Sequence, residues 1–160
     1  MSPSVLIVSA ETVLPLRWAV LRPGWPREAA RFEGDTDKRT YHFAAYTPSG
    51  EVVGVASFFQ EPYPPLGEGP SVYRLRGMAT HPAYQRQAGI GRTLLQKALS
   101  FLARQGITLV WCYARVEAVP FYAKQGFLRW EAAGIIDIPG VGPHEVWYYP
   151  LAKGTAVSGV

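Results

Sequence analysis

The sequence contains a single cysteine, Cys112, among its 160 residues. One thiol cannot form an internal disulfide, and it excludes a structural zinc site of the cysteine-rich kind. No apolar run approaches the roughly 20 residues that a membrane-spanning helix needs. The segment from Met1 to Ala10 also lacks the basic start and long apolar core of a signal peptide. We therefore expect a cytoplasmic protein that uses neither a membrane nor a metal ion.

Long basic runs are missing as well. The net charge is +4, and the longest run of basic residues is Lys38-Arg39. A nucleic-acid-binding protein usually gathers its Lys and Arg on one face or along one helix, so the sequence does not favour a nucleic acid as partner. Scattered arginines suit ligands that carry phosphate or carboxylate.

The composition is that of an ordinary globular protein, with 48% hydrophobic and 18% charged residues. A chain of this length is expected to form one domain with a buried core. We predict a single domain over residues 1–151. Residues 152–160 show no hydrophobic pattern, which predicts a loose C-terminal tail.

Hydrophobic spacing and turn residues predict an α/β domain built on a mixed sheet. The predicted helices are Glu11–Leu21, Gly89–Gln105 and Glu117–Lys124, of which the second has the most regular apolar face. The only obvious βαβ unit spans Val72–Tyr113. The predicted strands are Ser4–Val8, Tyr41–Tyr46, Val52–Phe59, Val72–Thr80, Ile107–Tyr113, Phe127–Trp130, Ile135–Ile138 and Glu145–Tyr149.

A turn with two glycines leads into the second helix, and its sequence is Gln85-Arg86-Gln87-Ala88-Gly89-Ile90-Gly91-Arg92. Glycines at a helix start let backbone N–H groups converge on an anion, and the helix N-terminus favours negative charge. The turn lacks both the three glycines of the dinucleotide fingerprint and the Gly-Lys-Ser/Thr of a Walker A loop. Taken alone, it indicates either a phosphate-bearing ligand or a glycine-softened helix start without a ligand.

Two landmarks in this order resemble those of the GNAT acetyltransferases. Arg86, Gly89 and Gly91 match the Arg/Gln-x-x-Gly-x-Gly/Ala signature, and Ala118-x-x-Phe121-Tyr122-x-x-x-Gly126-Phe127 matches the second landmark. The resemblance implies a mostly antiparallel central sheet with one parallel, splayed strand pair, flanked by helices. It also implies that acetyl-CoA binds as co-substrate, with its pyrophosphate on the loop amides and its pantetheine arm on the preceding strand. The residues implied in this binding are Met78, Ala79, Thr80, Arg86, Gln87, Ala88, Gly89, Ile90, Gly91, Arg92 and Thr93.

Further segments, from Leu6 to about Leu151, resemble the glyphosate N-acetyltransferase subfamily. They include Val20-Leu21-Arg22-Pro23, Phe32-Glu33-x-Asp35, Arg74-Leu75-Arg76-Gly77-Met78-Ala79-Thr80 and Val141-Gly142-Pro143-His144. The resemblance implies that His144 is the general base and Tyr122 the general acid. It further implies that Arg22, Arg76 and Arg115 hold the anionic end of the acceptor.

Each of these roles has a structural alternative on residue type alone. A histidine suits a base because its pKa lies near neutral pH, yet His144 could equally make a turn hydrogen bond. Tyr122 could be an aromatic core residue, and Arg22, Arg76 and Arg115 could be ordinary surface or ion-paired arginines. The motifs around them favour the functional interpretation. The other candidates, His42, His81 and Cys112, are expected to be respectively structural, solvent-facing and a buried, inert thiol.

Two features depart from the glyphosate subfamily: the glycine turn is one residue longer, and Tyr113 stands where that subfamily tends to carry Asn. The sequence therefore predicts acetyl transfer to a small amine with an anionic group, such as an amino acid or aminophosphonate, by a monomer or homodimer. A peptide or protein N-acetyltransferase with an open groove is one alternative. A CoA-binding sensor of the same fold without turnover is another.

Overall fold

The structure of the protein is a computed structural model that describes residues 3–85 and 89–151. These residues form eight strands, three α-helices and short 3₁₀ turns. The strands are β1 (Ser4–Val8), β2 (Tyr41–Tyr46), β3 (Val52–Gln60), β4 (Val72–Thr80), β5 (Leu109–Arg115), β6 (Leu128–Arg129), β7 (Ile136–Ile138) and β8 (Gly142–Pro150). The helices are α1 (Ala10–Leu21), α2 (Ile90–Arg104) and α3 (Val119–Lys124).

The sheet is mixed and mostly antiparallel, as the sequence predicted. The strand order is β1-β2-β3-β4-β5-β8-β6, and β7 pairs with β8. Only β4 and β5 run parallel, and their pairing extends from Val72 beside Leu109 to Arg74 beside Trp111. The parallel pairing therefore involves just the first three residues of each of these strands. None of the described helices is long and apolar enough to cross a membrane.

The described chain forms two compact units. Residues 3–60 with 75–101 make up the first, and residues 61–74 with 102–151 make up the second, so β4 and α2 each contribute to both. The first unit is centred on a cluster of buried apolar side chains, Val13, Leu16, Ala44, Val55 and Ala79. The second is centred on Val72, Trp111 and Val146. The prediction of one domain over 1–151 stays a prediction, and the proposed tail, 152–160, lies outside the described residues.

The start of α2 is fixed by its packing on β3. Gly54 lies under the helix, where a Cβ atom would come within 3.1 Å of Ile90 Cγ2 and 3.3 Å of Leu94 Cδ2. Both of these side chains are fully buried. Close packing of this kind leaves the first turn of α2 little freedom, so its backbone amides have defined positions.

Most predicted elements match the structure, and the differences lie in the second unit. The strand predicted over Ile107–Tyr113 instead spans Leu109–Arg115, because the Ile107 amide bonds to Leu102 O at the end of α2 and the Thr108 amide bonds to Ser71 O. The strand predicted from Phe127 contains only the two residues of β6. The last strand is longer than predicted and begins at Gly142, since it pairs with β7 as well as β5.

Candidate active site

The glycine turn ends where α2 begins. Gly89 has φ of 59°, a left-handed conformation that favours glycine, and the first helical bond runs from the Thr93 amide to Gly89 O at 2.9 Å. Helix geometry leaves the amides of Ile90, Gly91 and Arg92 without intrahelical partners. These amides and the helix dipole favour an anion at this end of α2. The remaining predicted residues of the turn, Arg86, Gln87 and Ala88, lie outside the described residues.

The three strand residues predicted to contact the cofactor form the end of β4. Ala79 is buried in the core cluster with Val13 and Leu16. Side chains alternate along a strand, so Met78 and Thr80 point to the opposite face, and both are partly buried. The Thr80 carbonyl accepts a hydrogen bond from Gln85 Nε2 at 3.0 Å. This bond ties the start of the glycine turn back to the strand.

Two of the three predicted anion-binding arginines belong to the first unit. Arg22 follows α1 as its C-terminal cap, and its guanidinium donates to Leu21 O at 3.0 Å and lies 5.4 Å from the Trp25 ring. Arg76 lies on β4 with its guanidinium 3.9 Å above the Phe32 ring. Both side chains are partly buried and held against aromatic rings, so neither is an ordinary extended surface arginine.

The same Phe32 ring contacts a second, fully buried cation that sequence reasoning missed. Arg17 on α1 lies 4.1 Å from the ring centroid and forms a two-bond ion pair with Asp35, at 2.8 and 3.1 Å. Its guanidinium also donates to Ala30 O and Ser57 Oγ, both at 2.9 Å. The Phe32 ring therefore contacts the guanidinium groups of both Arg17 and Arg76.

Gly77 is needed for this arrangement. It has φ of 67°, and a Cβ atom there would lie 2.8 Å from Arg17 Nε and 3.0 Å from Phe32 Cε2. Any side chain would therefore displace the Arg17–Phe32 stack. His42 joins the same network: its Nε2 donates to Asp35 O at 2.8 Å and its Nδ1 lies 2.6 Å from Ser57 Oγ. Burial lowers the pKa of His42, and the hydrogen bonds of both ring nitrogens support the prediction that His42 is structural.

In the second unit, His144 and Arg115 lie side by side. The antiparallel register of β5 and β8 pairs them directly, and residues paired in this way present their side chains on the same face of the sheet. His144 is buried, with 4% of its surface exposed. Its Nδ1 lies 2.7 Å from Gly142 O. A carbonyl can only accept, so Nδ1 carries the proton and Nε2 of the neutral ring keeps its lone pair.

Tyr122 lies on the other face of this strand pair. It stacks on Phe127 at 5.2 Å between ring centroids, and Phe127 stacks on Tyr149 at 5.3 Å. Tyr149 pairs with Val110, and both alternate away from the face that carries Arg115 and His144. Tyr122 is buried, and burial, together with the nearby Cys112, raises its pKa well above the ordinary value. The phenol therefore keeps its proton at neutral pH.

The remaining candidates are settled by burial and hydrogen bonding. Cys112 is buried within β5, as predicted, and burial raises the pKa of its thiol to about 12, which disfavours the reactive thiolate; that the thiol is inert stays a prediction. His81 is only partly exposed, and its Nδ1 accepts from the Ala83 amide at 3.1 Å as the cap of a 3₁₀ turn. Within residues 3–85 and 89–151, no group of three or more His, Cys, Asp or Glu side chains is placed to hold a metal ion.

Comparison with a family model and with a curated relative identifies the same class of protein, the acetyltransferases. Residues 10–127 match the model of the acetyltransferase (GNAT) family. Over 148 residues, the chain is 37% identical to the uncharacterized N-acetyltransferase YitI of Bacillus subtilis (strain 168), covering 92% of this chain and 95% of YitI.

Solved structures resemble the fold at lower identity. A putative N-acetyltransferase from Lactobacillus plantarum superposes with a TM-score of 0.75 at 23% identity, covering 94% of this chain and 99% of the other. The GNAT family N-acetyltransferase YhbS from Escherichia coli, solved in complex with CoA, superposes with a TM-score of 0.71 at 19% identity, covering 97% of this chain and 84% of YhbS.

Proposed function

This chain belongs to the acetyltransferase (GNAT) family and is an N-acetyltransferase, and from that premise we propose that it moves the acetyl group of acetyl-CoA directly to a small amine that also carries an anionic group. The observation that carries the proposal is the direct pairing of His144 with Arg115. An imidazole whose Nδ1 is held by Gly142 O, with Nε2 as its second nitrogen, lies beside a guanidinium on one face. This arrangement suits an acceptor whose amine and acid are close together. The resemblance to the glyphosate N-acetyltransferase subfamily supports the same roles.

The proposed binding site for acetyl-CoA, the acetyl donor, is formed by β4 and the start of α2. We assign the pyrophosphate of acetyl-CoA to the amides of Gly89, Ile90, Gly91 and Arg92. Thr93, whose amide already bonds to Gly89 O, is assigned a contact through its side chain, and Arg86, Gln87 and Ala88 are proposed for the same site. The backbone of Met78, Ala79 and Thr80 receives the pantetheine arm. The first-turn amides of a well-packed helix support this assignment, since they favour phosphate at defined positions.

The transfer needs two proton movements. His144 Nε2 takes a proton from the acceptor ammonium, and the freed nitrogen then bonds to the acetyl carbon while the carbon–sulfur bond breaks. We assign the proton for the departing sulfur to Tyr122, which lies on the opposite face of the β5–β8 pair from His144, so the acid and the base approach the thioester from different faces. Burial raises the pKa of Tyr122, so the phenol still holds its proton when the thiolate forms, but the same shift makes it a weaker acid. Arg115, Arg76 and Arg22 bind the anionic group of the acceptor, as guanidinium groups bind carboxylate and phosphonate.

The test is a turnover screen read by thiol release from acetyl-CoA. Acceptors are amino acids and aminophosphonates, including glyphosate, each compared with an amine of similar size whose acid is replaced by an amide. Faster release with the acids supports the proposal. Release only with polyamines or peptides would contradict the anionic acceptor, and binding of CoA without release under any condition would favour the non-catalytic sensor.

Replacing Tyr122 by Phe should lower kcat on the order of 10²-fold, the lower end of what a positioned general acid contributes. The ring stays, so its stacking on Phe127 and the fold are retained. The loss should appear in single-turnover thiol release and leave the dissociation constant of acetyl-CoA unchanged. Undiminished release would show that the proton comes from elsewhere, for example from water.

Replacing Arg115 by Gln should raise the KM of acidic acceptors about 10-fold or more, because a charge-assisted pair is lost. The KM of acetyl-CoA should not change. Arg129→Gln is the matched control, since Arg129 pairs with Trp147 of β8 and so lies on the opposite face. An equal rise in the KM of both substrates would contradict the anion-binding role.

A further inference from the structure

A second arginine lies on the face of the second unit that carries His144 and Arg115. Arg74, at the start of β4, is in register with Trp111 of β5. Its guanidinium lies 5.3 Å from the Trp111 ring and 4.9 Å from the Tyr113 ring. Alternation along β5 places Trp111, Tyr113 and Arg115 on one face. The Arg74 cation therefore covers Tyr113, the residue next to Arg115 on that face.

The aromatic rings that hold Arg74 are themselves fixed. Trp111 Nε1 donates to Glu61 O at 2.9 Å, and the Tyr63 ring stacks on Trp111 at 4.8 Å. A guanidinium against two such rings gains a cation–π interaction and loses much of its water; only 17% of the Arg74 side chain is exposed. A positioned, partly dehydrated cation attracts an anion more strongly than a solvated one.

The hydrogen bonding of Arg74 is incomplete. Its Nη1 contacts the two carboxylate oxygens of Glu61 at 3.3 and 3.5 Å, which are long for a charged pair. Its Nε is buried and has no hydrogen-bond partner in the part of the chain that the structure describes. Arg17 Nε is likewise buried without a partner among the described residues, so it is the long contacts with Glu61 that leave the Arg74 guanidinium able to bind another anion. Glu61 is 44% exposed, so its side chain can leave Arg74 without being buried elsewhere.

We propose that Arg74 binds a second acidic group of the acceptor, so that the enzyme prefers amines with two acidic groups, such as aminodicarboxylates or amino acids with a phosphonate. This inference rests on the proposed function, in which Arg115 binds the first acid beside His144. Arg115 and Tyr113 are two residues apart, which is about 6.7 Å along a strand. The Arg74 guanidinium lies over Tyr113, which is the residue next to Arg115 on this face. The Glu61 carboxylate contacts the Arg74 guanidinium when no such acceptor is bound.

The experiment measures kcat/KM for pairs of nearly isosteric acceptors, glutamate against glutamine and aspartate against asparagine, with one phosphonate analogue of aspartate. The wild type should prefer the diacid of each pair by about 10-fold or more, the effect expected for a hydrogen-bonded charge. Arg74→Gln should bring the ratio of kcat/KM for the diacid to kcat/KM for its amide near one, and it should leave the kcat/KM of the amide unchanged. Glu61→Gln should raise the ratio, because it removes the competing carboxylate and keeps the backbone bond to Trp111.

Each other outcome has a distinct meaning. Turnover of the monoacids with no preference for diacids in the wild type would overturn this inference and leave the proposed function standing. An equal loss on both members of a pair in Arg74→Gln, with an unchanged ratio, would mean that Arg74 only supports the fold. If that variant does not fold, an unchanged ratio in Glu61→Gln overturns the inference. No turnover of any acidic acceptor would overturn the proposed function as well.

Discussion

Replacing His144 by asparagine should lower kcat by about 10²- to 10⁴-fold, the contribution typical of a positioned general base. The asparagine amide can still donate to the Gly142 carbonyl in place of Nδ1, so the β8 backbone keeps its hydrogen bond. What disappears is the basic nitrogen at Nε2. The loss should be seen in thiol release at saturating acetyl-CoA and acceptor, while titration calorimetry should give an unchanged affinity for acetyl-CoA.

His81→Asn is the matched control for this variant. His81 accepts a hydrogen bond from the Ala83 amide as a cap, and asparagine accepts the same bond well, so turnover should be unchanged. If His144→Asn keeps full turnover, the acceptor is deprotonated by another group. If it loses acetyl-CoA affinity in the same proportion as turnover, His144 supports the fold instead.

The sequence predicted the order and type of the main elements because each carries a local signal. The apolar face of α2, the turn between β2 and β3, and the β-branched start of the chain all need only neighbouring residues. The buried state of Cys112 was visible in the same way, from the apolar run around it. Boundaries that depend on contacts with distant residues were less accurate, as the shift of β5 to Leu109–Arg115 shows.

The pairing of His144 with Arg115 could not be predicted from strand patterns. The predicted strands, Ile107–Tyr113 and Glu145–Tyr149, left both residues outside the sheet. Their shared face depends on the register between β5 and β8, and a slip of one residue would place them on opposite faces. Motif resemblance singled out both residues, but it did not supply this geometry.

Arg17 was missed although the sequence carries a signal for it. It lies within the apolar stripe of α1, between Leu16 and Val20, and a charge in a buried stripe requires a buried partner. The partner is Asp35, in a loop 18 residues further along the chain. Local pattern could not select this carboxylate from the other acidic residues nearby, namely Glu11, Glu28, Glu33 and Asp37.

Replacing Asp35 by asparagine should lower the free energy of unfolding by about 3 kcal/mol, because it leaves the fully buried Arg17 charge without its counter-ion. The asparagine is isosteric, so the amide of Phe32 can still donate to its side-chain oxygen, as it does to Asp35 at 2.9 Å. Urea unfolding followed by tryptophan fluorescence gives the measurement. Asp37→Asn is the matched control, since Asp37 also pairs with an arginine, Arg39, at 2.7 Å but at the surface. It should unfold like the wild type.

A double variant tests whether the unpaired charge of Arg17 causes the loss of stability in Asp35→Asn. Adding Arg17→Met to Asp35→Asn removes the buried charge, and an apolar side chain of similar length should then recover part of the stability. No recovery would mean that the hydrogen bonds from Arg17 to Ala30 and Ser57 contribute more than its charge costs. Equal stability of Asp35→Asn and Asp37→Asn would contradict the argument altogether. Because the Phe32 ring contacts both Arg17 and Arg76, the double variant should also raise the KM of acidic acceptors, as the proposed role of Arg76 predicts.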